Sequence, residues 1–178
     1  MEFPDDKIDK LLAAALADLK RRIEQLESGR ISWPAFTTAV KGLLSDLYYA
    51  SAIATAGRGL TAEERDIVER AIAEQNNARN KDFSLSRLLA DYAAGLMTLA
   101  MLAYRLGQYL KSSRAAAWQI WGNEAATSEL FKRYLGGSDH CSSCLLYAAM
   151  PAMRFADMVL PGQDCECRSN CLCIIKRV

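Results

Sequence analysis

Cys141 and Cys144 follow His140 in a Cys-x-x-Cys spacing, and Cys165, Cys167, Cys171 and Cys173 come further on as Cys-x-Cys-x-x-x-Cys-x-Cys. These are all six cysteines and the only histidine of the 178-residue chain. Cysteine is common throughout protein interiors, so its confinement to one stretch needs a cause. Thiolates paired at such short spacing can be turned onto one ion, which is how a structural zinc site is assembled: four tetrahedral ligands and no open position. Cys141 and Cys144 supply one pair. The later cluster offers four thiols for the two remaining places, and Cys171 with Cys167 or Cys173 is the favoured completion. The expected metal ligands are therefore drawn from Cys141, Cys144, Cys167, Cys171 and Cys173, and the expected cofactor is structural Zn2+. Pro161-Gly162 supplies the turn that brings the halves together.

A tail of roughly 40 residues is too small to bury a core of its own, so it needs a metal, disulfides or a partner surface. Disulfides, free thiols, or one metal with spare thiols are the alternatives to a fully metal-bound set, and spacing alone does not give a pairing. His140 adjoins Cys141, so both would have to turn to the same ion. Given the surplus of sulfur, His140 is read as a rim residue. Asp139 or Glu166 could serve as a base beside a catalytic zinc only if the thiolates left the shell open.

Signs of catalysis are missing. The chain has no glycine-rich phosphate loop, no Gly-x-Ser-x-Gly elbow and no His-Glu-x-x-His. The acidic pairs Asp5-Asp6 and Glu63-Glu64 sit at helix starts, where the helix dipole accounts for them. A non-enzymatic protein is expected.

Lys and Arg number 22 against 21 Asp and Glu, and 51 % of residues are hydrophobic. Near-neutral charge argues against a free-standing nucleic-acid binder. A local patch is still available from Arg168, Lys176 and Arg177, with Lys111, Arg114, Lys132 and Arg133 nearby in sequence. The N-terminus lacks the basic start and apolar run of a secretory signal, so assembly in a reducing cytoplasm is expected, where paired thiols favour metal over disulfides. The uncharged run from Tyr92 to Tyr104 ends at Arg105, short of the roughly 20 residues a bilayer requires. It reads as a buried core helix, with no membrane contact.

The elements that must position the sulfurs read as an all-α bundle of about five helices, judged from apolar periodicity. Residues 1–135 form the helical body. Residues 136–178 form a small cysteine-rich, zinc-knuckle-like metal-binding tail, with Gly136-Gly137-Ser138 as the boundary. The first helix starts after Pro4, carries Ile8, Leu11, Leu12, Ala15, Leu16, Leu19, Ile23 and Leu26 on one stripe, and ends at Ser28-Gly29. Ser32-Trp33-Pro34 opens the second, which runs to about Ala56 before Gly57-Arg58-Gly59. Thr61 and Glu64 form a capping box for the third. The fourth is one long central helix from about Ser84 to Leu110. The fifth runs from Arg114 to Leu135, with Trp118 and Trp121 on one face. Leu145 to Leu160 reads as a short helix packed on the body. No segment alternates as a strand would.

A tryptophan-bearing helix ending near Trp121, then His-Cys-x-x-Cys, then Pro-Gly and a closing Cys-x-x-x-Cys-x-Cys, resembles the C-terminal region of the Mu F-like head morphogenesis family of tailed-bacteriophage minor head proteins. Cys141, Cys144, Cys171 and Cys173 carry the resemblance. Gly29-Arg-Ile-Ser-Trp33-Pro and Thr61-Ala-Glu-Glu match the helical region in character from Leu11 to Leu135. Members commonly hold a histidine two residues before the closing Cys-x-Cys pair; this sequence has none there, and Cys167 is the candidate substitute. Cys165 lies outside the pattern, and Ala148 and Ala149 stand where a glycine is often found. The resemblance implies a structural virion component, made in the host cytoplasm and oligomeric within a particle. It would contact portal, capsid or tail subunits and aid head assembly or head–tail contacts. The alternatives are a small cytoplasmic zinc-binding regulator that contacts nucleic acid through its tail, and a zinc hydrolase or thiol redox enzyme.

Overall fold

A computed structural model describes residues 3–77, 84–124, 128–136, 140–161 and 173–178. Local signals set most helix ends. Helix α1, Asp5–Glu27, has Asp5 and Asp6 in its first turn, against the positive end of the helix dipole. Gly29 follows at φ 69, a left-handed conformation that costs glycine nothing. Helix α2, Trp33–Ala56, is capped by Ser32, whose Oγ accepts from the Ala35 N–H at 3.4 Å, and ends on the left-handed Gly57. Helix α3, Ala62–Asn77, begins at the expected capping box. The Glu64 N–H donates to Thr61 Oγ1 at 3.2 Å, and the Thr61 N–H donates to Glu64 Oε2 at 2.7 Å.

The long central helix expected from Ser84 to Leu110 is two helices. α4, Leu85–Ala93, stops at a turn in which Gly95 takes φ 73, and α5, Leu99–Lys111, starts anew. Thr98 caps α5, its Oγ1 accepting from the Met101 N–H at 3.2 Å. The apolar stripe continues through this turn, but a glycine able to go left-handed and a threonine able to cap outweigh it. Leu96, inside the span expected to be one central helix, lies on the turn and is 69 % exposed.

Helix α6, Ser113–Asn123, is likewise shorter than expected, because the chain after it turns into strand β1, Leu130–Tyr134. The expectation that no segment forms a strand is thus corrected. β1 is the middle of a three-stranded antiparallel sheet, flanked by β2, Met153–Arg154, and β3, Ile174–Arg177. Its inward residues are Phe131 and Arg133, alternating with Leu130, Lys132 and Tyr134. A buried arginine in an inward register breaks the apolar alternation by which strands are recognised. The stretch from Leu145 to Leu160 is also only partly helical: α7, Ser142–Ala149, gives way to β2 and a single 3-10 turn, Phe155–Asp157.

The fold remains mainly helical. Its larger core joins α1 to α6 around Phe36, Leu44, Tyr48, Leu85, Leu102 and Leu106. The Tyr48 hydroxyl and Ser112 Oγ lie 2.8 Å apart, tying α2 to the α5–α6 junction. A second, aromatic core lies between α6 and the sheet. Trp121 meets Phe131 and Phe155 edge-on, at 5.1 and 5.8 Å between ring centroids. Among the described residues no helix is long and apolar enough to cross a membrane.

Candidate metal centre

Cys141 is the N-cap of α7, in extended backbone, and its carbonyl accepts the first intrahelical bond from Leu145 N–H at 3.2 Å. Cys144 lies in the first turn, so the Cys-x-x-Cys spacing puts both sulfurs at one end of one helix. Cys173, remote in sequence, is the residue immediately before β3. Pairing of β3 with β1 brings it to that pair, since Tyr134 lies opposite Ile174. Cys144 and Cys173 pack together, each 1 % exposed, with half-buried Cys141 and Tyr147 against them. Sulfurs from two remote stretches therefore share one small interior cluster.

They are gathered as packing neighbours rather than as a finished shell. Among the described residues no three His, Cys, Asp or Glu side chains are grouped as metal ligands, and no disulfide links any two of Cys141, Cys144 and Cys173. A complete four-sulfur shell has to draw on Cys165, Cys167 or Cys171, which lie outside the described residues together with Asp139, Glu166 and Arg168. His140 is half-buried, directly ahead of the N-cap.

Sequence reasoning missed the residue that organises this cluster. Arg133, in the middle of β1, is 1 % exposed. Its Nη2 donates to Cys144 Sγ at 3.5 Å and its Nη1 to the Val159 carbonyl at 3.2 Å. Its guanidinium lies 5.1 Å from the centre of the Tyr147 ring. The one available signal was its spacing of two from Phe131, which puts both on the same face of a strand.

Burial and pairing also change the expected basic patch. Arg133 faces the interior, Arg114 pairs with Asp5 at 3.1 Å and Asp9 at 2.7 Å, and Arg177 pairs with Glu129 at 3.0 Å. Lys132 and Lys176 lie opposite each other across β1 and β3.

The donor set suits zinc. Soft sulfur side chains at a helix start, joined by one from before a strand, are the ligand type of structural zinc sites, and such ligands are commonly oriented by a hydrogen-bonding neighbour. Comparison of the chain with protein-family models, with curated proteins and with solved structures returned no match.

Proposed function

We propose that this chain is a non-enzymatic structural protein of a tailed-phage particle, in which a thiolate-bound zinc ion closes the C-terminal region onto a helical body. The observation that carries the metal part is the convergence of Cys173 on the Cys141–Cys144 pair, with two of the three sulfurs fully buried. The ligands are Cys141, Cys144 and Cys173, with Cys171 or Cys167 as the fourth. Zinc with four sulfur ligands has no vacant position and acts as a crosslink rather than a reagent. The virion setting rests on the resemblance of this cysteine pattern, placed after a tryptophan-bearing helix, to the Mu F-like head proteins. In that setting the protein docks on portal, capsid or tail subunits and is assembled in the host cytoplasm.

A nucleic-acid-binding regulator is the weaker reading. Of the basic residues available to it, Arg133 is buried and Arg114 and Arg177 are held by carboxylates. Within the described part of that patch this leaves Lys111, Lys132 and Lys176, a small set for the phosphate contacts that dominate such binding.

Two experiments test the proposal. Elemental analysis of full-length protein purified under reducing conditions should return one zinc per chain, lost in Cys144→Ser. Mass spectrometry of purified particles should find the protein. Metal-free protein with an intact C-terminal fold would end the first half, and consistent absence from particles the second.

A further inference from the structure

We propose that Arg133 is a positioning residue for the metal: the cation that orients Cys144 and offsets the negative charge of the thiolate shell. This inference rests on the metal-centre reading above.

A zinc ion with four thiolates is a dianion, and with three thiolates and a neutral donor a monoanion. Placing such a group in a protein interior is costly unless a nearby cation and hydrogen bonds compensate it. Arg133 meets both needs. It is 1 % exposed, and its Nη2 donates to Cys144 Sγ at 3.5 Å, a sulfur hydrogen-bond distance. The guanidinium is aimed by the Val159 carbonyl, 3.2 Å from Nη1, and by the face of Tyr147. These contacts fix its plane before any ion arrives. Arg133 also stands on β1, the strand that pairs with β3 and so brings Cys173 into the cluster. One strand thereby delivers both the counter-charge and the third sulfur.

Arginine suits the task better than lysine in geometry, because its planar fork reaches sulfur, carbonyl and ring at once. Lysine still supplies charge. The two roles separate experimentally.

The test compares full-length wild-type protein with Arg133→Met and Arg133→Lys, with folding checked by circular dichroism. Zinc affinity is measured by competition with a chromophoric chelator. Cobalt-loaded protein is followed by its sulfur-to-cobalt charge-transfer absorption. Loss of an outer hydrogen-bond partner of this kind weakens metal binding by roughly 10–100-fold, the result expected for Arg133→Met. A nearby cation lowers the energy of the sulfur lone pairs, so the charge-transfer band of Arg133→Met should move to lower energy. Arg133→Lys should recover part of both changes. A purely packing role for Arg133 would leave the band of the cobalt-loaded Met variant where the wild type has it. Wild-type affinity and band position in Arg133→Met, or a Lys variant no better than Met, would overturn the inference while leaving the zinc centre standing. A wild type that binds neither zinc nor cobalt would overturn both.

Discussion

Phe3 lies flat on Trp118, with ring centroids 3.5 Å apart and planes 11° from parallel. It also meets Trp121 edge-on at 6.0 Å. A residue near the start of the described chain is thus part of the aromatic core that joins α6 to the sheet. Phe3→Ala should cost about 3 kcal/mol, the low end of the range for a buried phenylalanine, because a segment ahead of the first helix can partly fray. Denaturant titration followed by tryptophan fluorescence measures this; a loss below about 1 kcal/mol would remove Phe3 from the core.

Gly122 tells a related story by what it lacks. A Cβ at this position would overlap the Phe155 ring, which packs on the α6 end from the 3-10 turn after β2. Gly122→Ala should therefore destabilise by about 1–3 kcal/mol through overpacking. Combining it with Phe155→Leu should give back part of that loss, so the two effects should be less than additive. Strict additivity would mean the two residues do not meet.

The Arg58 guanidinium, bonded to Glu64 at 2.8 and 2.9 Å, and the Thr61 N–H hold the Glu64 carboxyl down to about 2. A carboxyl whose folded value is depressed stabilises the fold above its unfolded value, about 4.3, and loses that contribution as pH falls toward the folded value. Glu64→Gln should cost about 1 kcal/mol at pH 7, limited because Arg58 faces water and its charge is screened. The gap between the two proteins should close between about pH 4 and pH 2. A gap that stays constant over that window would show that the charge on Glu64 does not contribute.

On the proposed zinc reading, removing the metal should act locally. The helical core from α1 to α6 is built from residues distinct from the sulfur cluster. A strong chelator, or Cys173→Ser, should abolish zinc binding and lower the unfolding temperature by the linkage expected for a ligand bound only to the folded state. Most helical circular dichroism should persist. Cys165→Ser, outside the favoured ligand set, should leave one zinc bound. Loss of zinc in that variant would move Cys165 into the shell.

How legible this molecule was depended on the range of the signals. Ser32, Gly57, Thr61 and Glu64 act within a turn or so of their own position, and the helix ends they mark fall where they were expected. Helix α4 was misjudged because Gly95 and Thr98 interrupt an apolar stripe whose spacing carries on regardless. The sheet was missed for a different reason. β2 and β3 are very short, and β1 has an arginine where alternation calls for an apolar residue. Only pairing between remote segments makes Arg133 an inward residue; its spacing of two from Phe131 shares a face with that ring only once the segment is a strand. The Cys-x-x-Cys pair was visible from spacing alone. That Cys173 joins it follows from the register of β3 on β1, which is a tertiary fact.

β1 also has an optical consequence. Phe131 touches the Trp121 ring, and Arg133, two residues further along the same face, touches Cys144. Any rearrangement at the sulfurs that pulls on this strand shifts the surroundings of a buried indole. Under the proposed zinc centre this contact makes a built-in gauge: the intrinsic tryptophan emission, to which Trp121 contributes, should change in step with metal loading, with no added dye.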